Sequence, residues 1–463
     1  MHKSGSDGKF TSSIGFVLAA VGSAVGMANI WLFPYRVGQY GGGAFLIPYF
    51  LFVALFSYVG LSGEFALGRL TGTGAMGSLD YVLRQRGRRG GRVLGAIPLL
   101  GVLGIAIGYS VVVGWVLRYA AGSLTGSVLA GDAQGFFSAL AVDFGSIPWH
   151  FAAVAVTAAI LIFGVASGIE KLSKVMMPAF FILFLIIAVR VAFLPGAMEG
   201  YLYLLRPDWS YLLNPETWVM AMGQAFFTLS LGIGAMAIFG SYIGKERRLF
   251  GEAINVGVLD TCVAFVSGLI IFPSAFAFGV NPGQGPSLIF VTLPNVFNAM
   301  PGGQLWGALF FVFLFFAALS TVTAVFENIL ACWMDRFGIS RGRAVLANLV
   351  LIFLLSLPCL LGNNLWSGVK ALGMGIMDWE DFLVSNNLLP IGSMIYLLFC
   401  CVSKKYGWGY DHFLEEANQG RGVRFPAQFR LYFKYVLPVI VLIIFIMGYW
   451  DKFKPFIVAA LGT

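Results

Sequence analysis

The sequence predicts an all-helical integral membrane protein of about eleven transmembrane helices. Three observations carry that fold class. Hydrophobic residues fill 59% of the 463 positions and charged residues only 11%, whereas soluble domains carry about 25% charged residues. The apolar runs are continuous and roughly 20 residues long, enough to cross a bilayer as helices, and they lack the alternation of membrane strands. Most of the 29 Lys and Arg fall in alternate loops between those runs, the pattern that sets membrane topology. A chain this apolar cannot cover itself with polar surface in water. A soluble enzyme, a disordered regulator and a secreted disulfide scaffold are therefore excluded.

The runs lie at about 14–38, 43–68, 93–121, 149–166, 173–194, 217–242, 253–279, 304–334, 342–361, 379–402 and 433–450. Lys3 and Lys9 precede the first. Gly41, Gly42 and Gly43 separate the first two and suit close helix packing. Arg69, Arg84, Arg86, Arg88, Arg89 and Arg92 follow the second run. Lys171 and Lys174 precede the fifth, and Lys245, Arg247 and Arg248 follow the sixth. Arg336, Arg341 and Arg343 lie between the eighth and ninth. Lys404, Lys405, Arg421, Arg424, Arg430 and Lys434 lie between the tenth and eleventh. With these loops on the cytoplasmic side, the N-terminus is inside and the C-terminus outside. The net charge of +8 then marks topology, and the partner is a lipid bilayer, not nucleic acid. The first run is too long for a signal-peptide core and lacks a plain A-x-A exit. The stretch 404–431 reads as a cytoplasmic loop with a short helix. Residues 1–463 form one transmembrane domain. Cys262, Cys332, Cys359, Cys400 and Cys401 have no metal-binding spacing and read as thiols.

Two runs are interrupted. In the first, Gly22-Ser23-Ala24-Val25-Gly26-Met27-Ala28-Asn29 breaks the apolar pattern, and Pro34 follows. In the sixth, Gln224 to Gly234 does the same, with Thr228, Ser230, Gly232 and Gly234. The two would occupy matching places in two five-helix halves, a sequence pointer to a binding site at mid-membrane. Unwinding there frees carbonyls for a cation and N–H groups for a carboxylate. Asn29 and Thr228, buried beside such breaks, need partners, and a sodium ion supplies them.

Together these motifs resemble the neurotransmitter:sodium symporters, particularly their bacterial amino-acid transporters. The resemblance spans about residues 7–450. It rests on Gly22 to Pro34, Gly41 to Tyr49, Glu64 with Gly68-Arg69, Gly108-Tyr109 before Trp115, Phe226 to Gly234, and Ala317 to Glu327. It implies the leucine-transporter-like fold: two inverted repeats of five helices, about 12–195 and 217–402, with helices 1 and 6 broken and an extra helix at about 433–450. It implies sodium-coupled symport by alternating access in a bacterial plasma membrane, not enzymatic activity.

The family's sites carry over onto particular residues. The first sodium ion would meet the Ala24 carbonyl, the Asn29 side chain, Thr228 and Asp260, with the substrate's carboxylate completing the shell. The second would meet carbonyls of Gly22, Val25 and Ala317 and hydroxyls of Ser320 and Thr321. Mostly neutral hard oxygens suit a monovalent cation, and calcium's clustered carboxylates are missing. The substrate's carboxylate would meet N–H groups of Met27 and Ala28 and the Tyr109 hydroxyl. Its ammonium would meet carbonyls of Ala24, Phe227, Thr228 and Ser230. Its side chain would lie against Ile105, Tyr109, Phe227, Ser230, Ile233, Thr321 and Val325. Monoamine carriers of the family have an Asp where this chain has Gly26, so the cargo here brings its own carboxylate. The aliphatic wall implies a neutral hydrophobic amino acid, and Ile233, in place of an aromatic residue, leaves room for larger side chains, aromatic ones among them.

Several positions depart from the pattern. Asp260 stands where many members have Asn, and Ala264 where chloride-dependent members have Ser, which predicts no chloride requirement. An Asp260 that returns protonated in the empty carrier predicts proton counter-transport; serving only as a sodium ligand is the alternative. The outer-gate Arg is replaced by Leu32, although its partner is kept as Asp381. Arg36 lies one turn further along and is a candidate substitute; otherwise the outer gate rests on Tyr109 and Phe227. At the inner gate Asp7 replaces the family Arg, its partner is kept as Asp335, Lys9 lies nearby, and Tyr242 matches the family Tyr. Gly168 and Pro178 match members whose fifth helix unwinds; a loop glycine and an ordinary helix proline are the alternative. A proton-coupled carrier of the same fold would place a Lys amine at the second sodium site, but Lys171 and Lys174 lie far out. A non-transporting amino-acid sensor is a further alternative. His2, His150 and His412 form no catalytic or metal constellation.

Overall fold

The computed structural model describes residues 26–461 except 143, 164, 242, 402–404 and 406, without side chains at 75, 163, 165–177, 286, 335, 401 and 451–461. The described residues form helices, turns and two isolated bridges. A π-turn over Ala28–Leu32 leads into α1 (Phe33–Gln39), followed by α2 (Gly43–Thr71), α3 (Ala75–Gln85) and α4 (Gly91–Thr125). Next come α5 (Ala133–Ala141), α6 (Ser146–Phe163), α7 (Val165–Ala192) and α8 (Ala197–Leu205). The sixth run is split into α9 (Pro215–Thr228) and α10 (Ala235–Ser241). Then follow α11 (Leu249–Ala277), α12 (Leu288–Asn298), α13 (Gly303–Phe337) and α14 (Arg341–Leu361). α15 (Ile376–Leu383) passes through a π-turn over Val384–Leu388 into α16 (Leu389–Cys401). α17 (Tyr410–Ala417) and α18 (Leu437–Leu461) close the chain.

Among the described residues, seven helices are long and apolar enough to cross a membrane, and nine spans result if each of two bent helix pairs counts once. The two remaining expected spans are the interrupted ones. Each half of the sixth is too short to cross alone, and the first is described only from Gly26 onward. Asn214 opens α9 by accepting from the Glu216 N–H at 2.9 Å, with Pro215 at the first helical position, where its missing N–H costs nothing. Asp132 caps α5 through the N–H groups of Gln134 and Gly135. Asp208 starts the turn before α9, and its carboxyl is held below the usual range by the hydroxyl and N–H of Ser210. α7 runs unbroken through Gly168 and Pro178, so of the two readings of that pair the ordinary helix proline describes this conformation. Among the described residues, Cys262, Cys332, Cys359 and Cys400 form no disulfide.

The packing separates two groups. α2 lies against α9, α10 and α11, while α4 lies against α6, α13 and α14. Small residues set the first group's spacing. A Cβ on Gly68 would come 1.7 Å from the Ala237 carbonyl oxygen, and one on Gly240 would come 2.4 Å from that of Phe65. α2 and α10 therefore touch backbone to backbone, the contact that dispersion rewards in lipid. Outward faces of α14 and α18 expose Leu346, Leu354, Leu442 and Ile446, as lipid-facing surfaces do.

Candidate functional site

The start of the described first span and the break in the sixth meet α4, α11 and α13 in the molecule's interior. Asn29 sits in the first π-turn and is fully buried. Its amide donates to the Asp260 backbone carbonyl and to Asp260 Oδ1, both at 2.8 Å. Thr228, the last residue of α9, donates to the other carboxylate oxygen at 2.9 Å. The Ser267 hydroxyl, two turns along α11, donates to the Asn29 carbonyl at 2.5 Å. Gln224 reaches the Ala28 carbonyl at 3.3 Å. Residues from three spans thus converge on one buried carboxylate. Asn29 Oδ1 is buried with no hydrogen-bond donor among the described residues. Buried acceptors without donors are rare, and a cation would satisfy this one. One carboxylate among neutral amide and hydroxyl oxygens is a donor set of the kind that suits a monovalent cation.

The break in the sixth span is held open by backbone geometry. Ser230 has φ +51°, followed by Gly232 at +86° and Gly234 at +71°, values glycine adopts freely and Ser does not. Glu64 of α2, itself buried, accepts the freed Gly232 N–H at 2.6 Å. The Ser230 and Leu231 N–H groups fold back onto the carbonyls of Phe227 and Phe226. At the first break the Met27 N–H donates to the Tyr109 hydroxyl at 3.2 Å. A Cβ on Gly26 would lie 2.5 Å from Thr321 Oγ1 and 3.0 Å from the Tyr109 hydroxyl. No carboxylate side chain fits there without displacing one of them.

Ile105, Tyr109 and Phe227 line one cavity with Trp31, Leu32 and Glu380. Ile233 and Val325 are buried and do not line it; Ile233 packs toward Gly101 of α4. Ser320 and Thr321 both donate to the Ala317 carbonyl, at 2.8 and 3.3 Å, which gathers three oxygens on one turn of α13. Gly22, Ala24 and Val25 lie outside the described residues, as do Asp7, Lys9 and Tyr242, and the side chain of Asp335 is likewise not described.

Arg36 pairs with Asp381 at 2.5 Å, and Ser385 donates to the second oxygen of that carboxylate at 2.6 Å. The Arg36 side chain is fully buried. Leu32, at the position of the family arginine, is packed into the core. At the opposite end Arg69 binds Glu416 at 2.7 Å and the Arg247 carbonyl at 2.6 Å. Arg341 forms a two-pronged pair with Glu327, at 2.9 and 2.7 Å. Sequence reasoning gave no role to Gln224, Ser267, Glu416 or Glu380. Ser267 carries no signal, because a helical Ser commonly bonds its own preceding turn. Glu380 carried one, as a carboxylate within an apolar run; Glu416 lies in the polar stretch 404–431 and carried none.

A sequence profile of the Sodium:neurotransmitter symporter family matches residues 7–134 and 136–458. An uncharacterized sodium-dependent transporter of Bacillus subtilis is 35% identical over 443 residues, covering 95% of this chain and 97% of the relative. One from Haemophilus influenzae is 32% identical, covering 94% and 97%. The crystal structure of MhsT in complex with L-phenylalanine superimposes with a TM-score of 0.88 at 36% identity, covering 95% of this chain and 99% of that one. The fold is that of a leucine-transporter-type membrane carrier, and the relatives are secondary transporters, not enzymes. The chain belongs to the Sodium:neurotransmitter symporter family.

Proposed function

We propose that the protein is a sodium-coupled symporter of a neutral hydrophobic amino acid, aliphatic or aromatic, that works by alternating access without needing chloride. The observation that carries this reading is the convergence of Asn29, Thr228 and Asp260 where two broken spans meet. A sodium ion entering there gains the unpartnered Asn29 Oδ1 and a buried negative charge, and Asp260 supplies the anion that chloride would otherwise bring. The bound phenylalanine of MhsT supports a cargo of this class. Gly26 supports a cargo that carries its own carboxylate, since the space is taken by Thr321 and Tyr109.

In this reading the first sodium meets Ala24, Asn29, Thr228 and Asp260, and the second meets Gly22, Val25, Ala317, Ser320 and Thr321. The cargo's carboxylate turns to Met27, Ala28 and Tyr109, its ammonium to Phe227, Thr228 and Ser230, and its side chain to Ile105. Two inverted repeats, about 12–195 and 217–402, let the group around α2, α9, α10 and α11 rock against the group around α4 and α13. The Arg36–Asp381 pair closes the outer side, and Asp335 and Tyr242 belong to the inner gate. The basic loops put the N-terminus in the cytoplasm of a bacterial plasma membrane and the C-terminus outside. Each sodium charge moving inward gains about 2.3 kcal/mol per 100 mV.

Uptake into proteoliposomes tests the reading. Labelled phenylalanine and leucine should accumulate only under an inward sodium gradient, at rates unchanged when gluconate replaces chloride. Uptake driven by protons alone, or sodium-dependent binding without accumulation, would overturn it. A several-fold fall in gluconate would overturn the chloride statement alone.

A further inference from the structure

The cavity beside Tyr109 and Phe227 contains three carboxylates, and they differ in their partners. Asp381 is paired with Arg36 and accepts from Ser385. Asp378 accepts from the Tyr35 hydroxyl at 3.5 Å. The Glu380 carboxylate receives no hydrogen bond and pairs with no cation among the described residues. It is half-buried, inside an apolar span. An ionised group there is costly without a partner, and such a group is by default a functional one.

Its position is specific. A Cβ on Gly108 would lie 2.2 Å from Glu380 Oε2, and one on Gly104, a turn earlier, 3.6 Å from Oε1. The carboxylate therefore fills a notch that two glycines leave on α4. Ile105 and Tyr109 are next to those glycines and line the same cavity. In the proposed cargo pose the polar ends of the amino acid face the two breaks and its side chain leans on Ile105. Glu380 thus borders the side-chain end, across from Phe227.

We propose that Glu380 is a specificity-determining residue that selects cargo whose side chain ends in an N–H donor. This rests on the reading of the cavity as the outer wall of the amino-acid site. It amends the expectation of a wholly uncharged wall. A neutral indole and a side-chain ammonium share the donor chemistry, and the test separates them. A long side chain passing Ile105 brings its N–H to the carboxylate, to which no described side chain donates.

The test is sodium-dependent binding of labelled leucine to the purified full-length protein, displaced by unlabelled leucine, phenylalanine, tryptophan or lysine. Wild type, Glu380→Leu, Glu380→Gln and Gly108→Ala are compared. Gly108→Ala keeps the charge but pushes the carboxylate out of its notch. Glu380→Leu and Gly108→Ala should weaken displacement by tryptophan, lysine or both by about tenfold, the size of one lost charge-assisted hydrogen bond. Leucine and phenylalanine should stay within about twofold, which also reports folding. With Glu380→Gln an indole keeps an acceptor and loses little, whereas an ammonium loses its counter-charge. A wild-type protein that neither tryptophan nor lysine displaces would overturn the proposal. So would variants that move all four competitors together, or none. If the wild type binds no amino acid with sodium, the symport reading itself fails, and this proposal falls with it.

Discussion

Asp260 decides the charge balance of the site. Its two carboxylate oxygens accept only from the neutral groups of Asn29 and Thr228, and among the described residues no Lys, Arg or His pairs with it. A buried carboxylate without a counter-charge invites a cation. Asp260→Asn should therefore lower sodium affinity by about tenfold or more, the worth of a charged contact, read as the sodium concentration that half-saturates amino-acid binding. Adding Ala264→Ser to Asp260→Asn moves both positions to the pattern of chloride-dependent relatives. That double variant should bind several-fold better in chloride than in gluconate, with wild type indifferent; equal binding in both would mean Asp260 does not replace chloride. Asn29 and Thr228 stood out in the sequence as polar residues inside apolar runs beside small residues, whereas Asp260 was named only through the family resemblance. Ser267 and Gln224 were not, since their importance lies in which carbonyl they reach across the bundle.

At the level of elements, the broken sixth span depends on its neighbour α2. Glu64 accepts the Gly232 N–H that unwinding sets free, so one helix supplies the cap that another lacks. Glu64→Ala should cost about 1–3 kcal/mol by leaving a buried donor unmade, while Glu64→Gln, which keeps an acceptor, should cost less. Thermal unfolding in detergent, with and without sodium, measures both. The first span shows the same dependence through Arg36 and Asp381. Arg36 is buried and its Nε and Nη1 have no other partner among the described residues, so Asp381→Ala should destabilise by about 3–5 kcal/mol. Replacing both residues by Leu should recover much of that loss, and a double variant as unstable as the single would show that the pair is not what holds α1 to α15. The break in the sixth span was visible in sequence as clustered glycines and hydroxyls. The short helices α5, α8 and α12 were not, because helices of 9 to 11 residues in loops are set by docking onto the bundle more than by their own pattern. The unbroken α7 fits the ordinary helix proline, one of the two readings its sequence left open; a proline is tolerated in a membrane helix where neighbouring groups re-satisfy the freed backbone.

Across the whole molecule, the polar segment between the tenth and eleventh spans crosses the end of the bundle and is bonded to three other parts of the chain. Glu416 receives Arg69 of α2, whose Nη2 also donates to the Glu416 carbonyl. The Arg248 N–H donates to the Arg421 carbonyl at 3.1 Å, and the Arg421 N–H donates to the Glu246 carbonyl at 2.8 Å. Arg248 also reaches the carbonyls of Asn418 and Gly422, and Arg86 that of Trp408. This strap ties α2 and the loop after α10, which the proposed motion displaces, to the end of α3 and to the segment leading into α18. The Arg69–Glu416 pair is almost wholly buried, so removing one partner strands a charge and should cost about 3–5 kcal/mol, whereas replacing both by apolar residues of similar size should be close to neutral. Glu416→Ala should therefore raise hydrogen exchange together in residues 408–425 and 243–248, because the two segments share their backbone bonds. Arg69→Met with Glu416→Leu should restore thermal stability yet leave the strap without its ionic clasp, and sodium-driven uptake by that variant separates two roles. Normal uptake with restored stability would make the pair a structural tie. Restored stability with altered uptake would make it part of the inner closure. Exchange that rises in 408–425 alone would show that the strap does not hold the loop after α10 at all.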